Sequence, residues 1–311
     1  MSATLRQPAP DEHKPGEDQL GEHKPDEHQP GEDRPDEHKE ALARLFDRSA
    51  PTYERTGVSH FADLGRRLVE HAGLREGERV LDVGCGTGAV LVPAARAVGP
   101  RGSVTGVDLS PGMVERARAA IAEEGLDNAR ALVADAETAH WQPGGPADGS
   151  LDAVLAGISM FFFPHPRAAA ARYRRLLVDD GRLALSWWGE QDARWAPVFA
   201  ASAPYGGASS HRLPADSPFR SVEDLHTMLS EEGFGSVETV EQPCVTRFRG
   251  VRQWWQWVWS TAGRQFWESV PQERMHEAIA AVEAELSRLR APDGSLTSRN
   301  IVRFTVARAV R

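Results

Sequence analysis

Cysteine is nearly absent from this chain, which contains only Cys85 and Cys244 in 311 residues. Two thiols cannot build a disulfide framework, so we expect a reducing, cytoplasmic compartment. The sequence contains no run of 18 apolar residues, and its first residues include no apolar stretch. It therefore predicts neither a transmembrane helix nor a secretory signal, and no membrane partner is expected.

Lysine is also scarce, and the three lysines, Lys14, Lys24 and Lys39, all precede residue 41. We therefore expect the folded part to contain no lysine. This expectation excludes Schiff-base chemistry, a P-loop lysine and the Tyr-x-x-x-Lys pair of short-chain dehydrogenases. No basic surface for nucleic acid is indicated, because the net charge beyond residue 40 is only −2. No cysteine and histidine cluster has zinc spacing, so no metal is predicted.

Residues 11–40 form six loose pentads, DEHKP, GEDQL, GEHKP, DEHQP, GEDRP and DEHKE, with twelve acidic and four basic residues. Apolar side chains are almost missing, so this segment cannot bury enough surface to offset the entropy lost on ordering. We predict a disordered acidic tail over residues 1–40. Its recurring histidines leave open a metal-binding or interaction role, although a solvated spacer is the favoured interpretation.

Beyond the tail, the pattern indicates an α/β fold. Residues 41–78 are predicted to form an N-terminal helical lid segment. Strands and helices alternate over 79–189, which is typical of right-handed βαβ units in a Rossmann-like, doubly wound sheet. Residues 190–311 are assigned to the C-terminal half of a mostly parallel, seven-stranded sheet. A helical insertion over 250–298 is expected between the last two strands.

The strongest motif is an apolar strand that runs into the glycine-rich turn Gly84–Gly88 and then into a helix. Asp108 follows 20 residues after Gly88, at the end of the next predicted strand, where a carboxylate can accept ribose hydroxyls. Because Gly84-x-Gly86-x-x-Ala89 satisfies the dinucleotide fingerprint, an NAD oxidoreductase stays an alternative. Asp82 disfavours it, since a buried carboxylate at this turn repels phosphates and suits a cationic cofactor.

Together, VLDVGCGTG, GVDLSPGMVERAR and VADAE resemble the class I S-adenosylmethionine (SAM)-dependent methyltransferases, with the likeness covering residues 46–188. It is closest to the branch of ubiquinone, menaquinone and natural-product methyltransferases. The resemblance implies that SAM is the cofactor and a small apolar or aromatic metabolite the acceptor. It also implies a cofactor site made of Phe46, Tyr53, Asp82, Gly84, Cys85, Gly86, Gly88, Asp108, Leu109, Met113, Asp135, Ala136, Gly157 and Ser159.

The acceptor side is less defined by the sequence. His165 follows the fourth strand and is the first-ranked candidate for a general base among His60, His71, His140, His165, His211, His226 and His276. Aromatic residues are concentrated after residue 187, and Phe162, Trp188, Trp254 and Trp255 are predicted to line an acceptor pocket. Core packing is an equal alternative for the tryptophans as a group. A SAM-binding protein with non-methylating chemistry and a homodimer both stay open.

Overall fold

The computed structural model describes residues 35–138, 145–207 and 213–310. Most of the acidic repeat therefore lies outside the described residues, as do His140 and His211. The last pentad is different: it belongs to the first helix, Pro35–Ser49. The prediction of disorder through residue 40 is therefore wrong at its C-terminal end. Leu45 of this helix is buried and packs the helix against the rest of the chain. The helix begins at Pro35, because proline is tolerated in the first turn.

Seven strands form one sheet in the order β3-β2-β1-β4-β5-β7-β6. The pairs among β1 to β5 are parallel, whereas β7 runs antiparallel to both β5 and β6. This arrangement confirms the predicted seven-stranded, mostly parallel sheet. The strands are β1 (Arg79–Val83), β2 (Ser103–Asp108), β3 (Ala129–Val133), β4 (Leu151–Gly157), β5 (Leu177–Trp188), β6 (Phe234–Phe248) and β7 (Leu296–Ala309).

Helices cover both faces of the sheet, so its central strands β1 and β4 are buried and nearly continuously apolar. Serine caps fix two helix starts: Ser110 accepts the N–H of Met113, and Ser221 accepts the N–H of Asp224. The helices are α1 (Pro35–Ser49), α2 (Phe61–Ala72), α3 (Leu91–Val98), α4 (Pro111–Glu123), α5 (Pro166–Leu176), α6 (Ala196–Ser202), α7 (Val222–Glu231), α8 (Val251–Ser260), α9 (Arg264–Glu268) and α10 (Met275–Leu289).

The insertion between β6 and β7 consists of α8, α9 and α10, as predicted. It shares a separate apolar core with the described part of residues 190–220, where α6 packs on α10. Trp254 is buried in this core, with its ring centroid 6.1 Å from that of Trp195. Trp254 therefore contributes to folding of the insertion, and its prediction as a pocket residue is wrong. Among the helices within the described ranges, none is long and apolar enough to cross a membrane.

Parallel strands β1, β2, β3 and β4 end at one edge of the sheet, and α2 lies against the chain that leaves β1. Gly65 of α2 allows this close approach, because a Cβ added there would lie 2.1 Å from the carbonyl oxygen of Ala89. The sheet edge is therefore covered by α1 and α2, and a cavity forms between these helices and the strand ends.

Candidate cofactor-binding site

A cavity of about 110 Å³ lies at this edge of the sheet. Its lining residues come from many segments between Lys39 and Ser186. Twelve of the fourteen predicted cofactor residues line it: Phe46, Tyr53, Gly84, Cys85, Gly86, Asp108, Leu109, Met113, Asp135, Ala136, Gly157 and Ser159. Asp82 and Gly88 do not. Sequence reasoning missed several others, including Lys39, Phe61, Glu137 and Ile158.

The glycine-rich turn packs directly against the loop that follows β4. Gly84 has φ of +68°, and a Cβ added there would lie 2.5 Å from the Cβ of Ser159. Ser159 is fixed in turn, because its hydroxyl donates to the carbonyl of Val83 at 2.8 Å. The side chain of Cys85 is buried, and burial raises the pKa of its thiol. The turn is therefore a tightly packed backbone surface rather than a reactive thiol site.

Asp108 ends β2 with its carboxylate in the cavity. One oxygen accepts the N–H of Gly86 and the other accepts the N–H of Ser110, each at 2.9 Å. A carboxylate oxygen has two acceptor positions, so each oxygen retains one for a ligand hydroxyl. Burial raises the pKa of Asp108, opposed by these backbone donors. This geometry is suited to a pair of adjacent hydroxyl groups such as those of a ribose.

Asp82 lies beneath the same turn and is fully buried. Neither of its carboxylate oxygens has a hydrogen-bond partner among the described residues. Burial, with a smaller contribution from the charge of Asp108, raises the pKa of Asp82 to about 8. An unpaired buried carboxylate is costly, and a cation would compensate it. Although Asp82 does not line the cavity, an ammonium group held at the turn above it would compensate a buried negative charge, whereas a pyrophosphate there would not.

Lys39 of α1 closes the other end of the cavity. Its ammonium group lies 2.9 Å from Asp135 and also forms an ion pair with Glu137. The expectation that the folded part has no lysine is therefore wrong. The sequence did not reveal the position of Lys39, because the pentad that contains it has the same composition as the preceding tail. In the structure that pentad belongs to a packed helix. Phe46 of the same helix contacts the edge of Phe162, with ring centroids 5.8 Å apart.

His165 is not brought into this cavity. It precedes α5 with an exposed side chain, and only its backbone N–H points toward the site, donating to Glu137. His60 is the buried histidine of the described residues, and it also lies outside the cavity lining. Its imidazole is 4% exposed, its Nδ1 lies 2.9 Å from the Thr246 hydroxyl, and its Nε2 has no partner among the described residues. Burial lowers the pKa of His60 to about 4, so the ring is neutral.

The predicted acceptor-pocket aromatics are dispersed. Phe162 lines the cavity. Trp188 stacks on His60 with centroids 5.7 Å apart, outside the cavity lining. Trp255 lines a different cleft on the insertion. The four side chains therefore do not form one pocket, because the tryptophans of α8 point in different directions around the helix.

Ile158, just after β4, is backbone-strained at the cavity. It adopts φ of +51°, which is rare for a β-branched residue. Its N–H is held by the carbonyl and the hydroxyl of Ser186, each at 3.1 Å. Such strain is retained where the surrounding structure fixes the backbone, commonly at binding sites. No group of three metal-binding side chains occurs in the part of the chain that the structure describes.

Comparison with known proteins gives consistent results. A family model described as a methyltransferase domain matches residues 80–181. Nocamycin O-methyltransferase of Saccharothrix syringae is 36% identical over 280 residues, which cover 85% of this chain and 97% of that protein. Aklanonic acid methyltransferase DauC of Streptomyces sp. (strain C5) is 45% identical over 163 residues, covering 52% of this chain and 68% of that protein.

Solved structures with similar folds include the [4+2]-cyclase SpnF, with a TM-score of 0.54 and 19% identity over 88% of this chain and 97% of that chain. A phosphoethanolamine N-methyltransferase of Haemonchus contortus in complex with SAM has a TM-score of 0.54 and 17% identity, covering 88% of this chain and 60% of that chain. At these identities the structural likeness supports the fold alone.

Proposed function

Because this chain belongs to the class I SAM-dependent methyltransferases and transfers a methyl group to a small molecule, we propose how its cavity binds the cofactor. The turn Gly84–Gly86 and Asp82 lie on the amino-acid side of SAM, and Asp108 binds the ribose hydroxyls. Leu109 and Met113 flank the adenine, while Asp135 and Ala136 reach its edge. The buried, unpaired carboxylate of Asp82 is the observation that carries this orientation.

When bound, SAM supplies an electrophilic methyl group on a sulfonium, and the transfer is an in-line displacement. The chain's own residues orient the reactants and exclude water. Tyr53 is central to that role, because its ring stacks on Phe61 at 5.1 Å and both rings line the cavity. The cavity, at about 110 Å³, is smaller than the roughly 300–1,000 Å³ of typical ligand sites, so we expect the lining side chains to shift when the cofactor enters.

We further propose that the acceptor atom is an oxygen of an acidic metabolite. The names of the two relatives specify an O-methyltransferase and an acid as substrate. A carboxylate or an acidic enol is already ionised near neutral pH, and it needs no general base to become nucleophilic. We place the enzyme in the cytoplasm, where the unpaired Cys85 and Cys244 would stay reduced.

A transfer assay tests this function. The full chain is incubated with SAM and matched pairs of aromatic compounds, each acid beside its primary amide, and products are measured by mass spectrometry. We expect some acids to gain one methylene unit with stoichiometric formation of S-adenosylhomocysteine, and the amides to be unchanged. Products of unchanged mass, or methylation of amides in preference to acids, would contradict the proposal.

A further inference from the structure

A cleft of about 1170 Å³ lies on the insertion side of the molecule. Its walls are the segment Thr52–Gly57, one face of α8 and one face of α10. The same segment separates the cleft from the cofactor cavity, because Tyr53 lines the cavity while Thr52 and Arg55 line the cleft. We refer to this second site as the arginine cleft. The cofactor cavity and the arginine cleft therefore share this segment as a wall.

Arginine dominates the charge of this cleft. Five arginines line it against a single acid, Glu283, in a chain whose net charge beyond residue 40 is −2. One of the five, Arg264, is engaged, since it donates to the carbonyl of Trp259 at 2.8 Å and approaches Glu268. The other four have no ion pair within the described residues: Arg55, Arg249, Arg252 and Arg290. Four exposed arginines without carboxylate partners around one cleft favour an anionic ligand.

The cleft is held together by buried hydrogen bonds. Gln253, 5% exposed, accepts the N–H of Arg249 at 2.7 Å and donates to the carbonyl of Thr56 at 2.8 Å. It thereby ties the segment Thr52–Gly57 to the start of α8, whose positive helix end faces the same cleft. The hydroxyl oxygen of Thr56 is buried without a partner among the described residues. The backbone at Arg249 is therefore fixed against the segment that carries Arg55.

The floor of the cleft adds an aromatic component. Trp255 and Trp259 are half-buried and line it. The indole N–H of Trp255 donates to Glu283 at 3.0 Å, which engages the one acid present. The flat ring of a ligand can stack on the face of a tryptophan. A carboxylate attached to that ring can then pair with a guanidinium group. The concave shape and the half-buried indoles favour a small aromatic ligand over an extended macromolecular surface.

We propose that the arginine cleft binds an anionic group of an aromatic acceptor other than the oxygen that is methylated, and so selects acidic substrates for the methyl-transfer site. The proposal rests on the proposed function for the identity of the acceptor. The binding itself needs only the cleft, because none of its four unpaired arginines lines the cofactor cavity.

Calorimetry with the full chain loaded with S-adenosylhomocysteine tests the proposal, using 2-naphthoate as the probe and 2-naphthamide as its uncharged match. The variant is Arg249→Gln/Arg252→Gln, and the control is Arg175→Gln, an exposed arginine of α5 that lines neither site. We expect naphthoate affinity to fall at least tenfold in the double variant and to be unchanged in the control. Naphthamide should bind the unaltered chain at least tenfold more weakly than naphthoate.

Equal naphthoate affinity in the double variant and the unaltered chain would overturn the proposal, as would equal binding of naphthoate and naphthamide. Affinity for S-adenosylhomocysteine should be the same in all three proteins. If the unaltered chain does not bind S-adenosylhomocysteine, the proposed function fails, whatever the naphthoate result. With an acid identified by the transfer assay, the double variant should raise KM with kcat unchanged. An unchanged KM would show that the cleft binds an anion unrelated to the acceptor and would contradict the acceptor assignment.

Discussion

Replacing Asp108 with alanine should weaken binding of S-adenosylhomocysteine about 100-fold, equivalent to ~2.7 kcal/mol. The carboxylate retains one acceptor position on each oxygen for a ribose hydroxyl, and charge-assisted hydrogen bonds contribute roughly 1.5–3 kcal/mol each. Alanine also releases the N–H groups of Gly86 and Ser110, which loosens the turn that faces the cofactor. Calorimetric titration of the full chain measures the effect directly.

Two controls separate this effect from unfolding. Asp127→Ala removes an exposed aspartate outside the cavity lining and should leave the affinity unchanged. Asp108→Asn preserves the shape of the side chain, but its amide nitrogen cannot accept a hydrogen bond, so an intermediate loss is expected. An affinity within twofold of the unaltered chain for a folded Asp108→Ala protein would mean that the ribose is bound elsewhere.

Asp82 should make both stability and cofactor binding depend on pH. Its pKa is about 8 in the folded chain and near 4 when unfolded. Between these values the folded state keeps a proton that the unfolded state has released. The stability of the unliganded protein should therefore fall as pH rises from about 4 to 8, by at most ~1.4 kcal/mol per pH unit from this group. Asp82→Asn should remove that dependence and be the more stable protein at pH 8.

Ligand binding should show the opposite trend. An ammonium group beside Asp82 favours the ionised carboxylate, so binding of S-adenosylhomocysteine should release a proton and tighten between about pH 6 and 8. Calorimetry in buffers of different ionisation enthalpy measures the released proton, and thermal unfolding at several pH values measures the stability. Identical pH profiles for the unaltered chain and Asp82→Asn would show that Asp82 does not titrate in this range.

The positions of the acidic residues at the strand ends were predictable, because local sequence patterns determine where these strands end. An apolar strand followed by a glycine-rich turn locates Asp82, and the next strand end locates Asp108, since parallel strands finish at one edge of the sheet. Resemblance to the family then assigned twelve residues that do line one cavity. These features depend on strand order and turn chemistry, both of which are visible in the sequence.

The remaining features depend on packing between distant segments. Lys39 looks like part of a solvated repeat, and only the docking of α1 against Asp135 gives it a position in the site. His165 follows a site strand but turns its side chain outward, whereas His60 becomes buried by contact with Trp188 and Thr246. The arginine cleft has no local signature, because its members are separated by up to 235 positions, from Arg55 to Arg290.

A crystal structure of the full chain with S-adenosylhomocysteine would show how each part of the cofactor is bound. We expect both ribose hydroxyls within hydrogen-bond distance of the Asp108 carboxylate and the amino group of the ligand on the Asp82 side of the Gly84–Gly86 turn. We also expect the adenine to lie between Leu109 and Met113. A ligand with its amino group remote from this turn, or with its ribose away from Asp108, would contradict the proposed orientation.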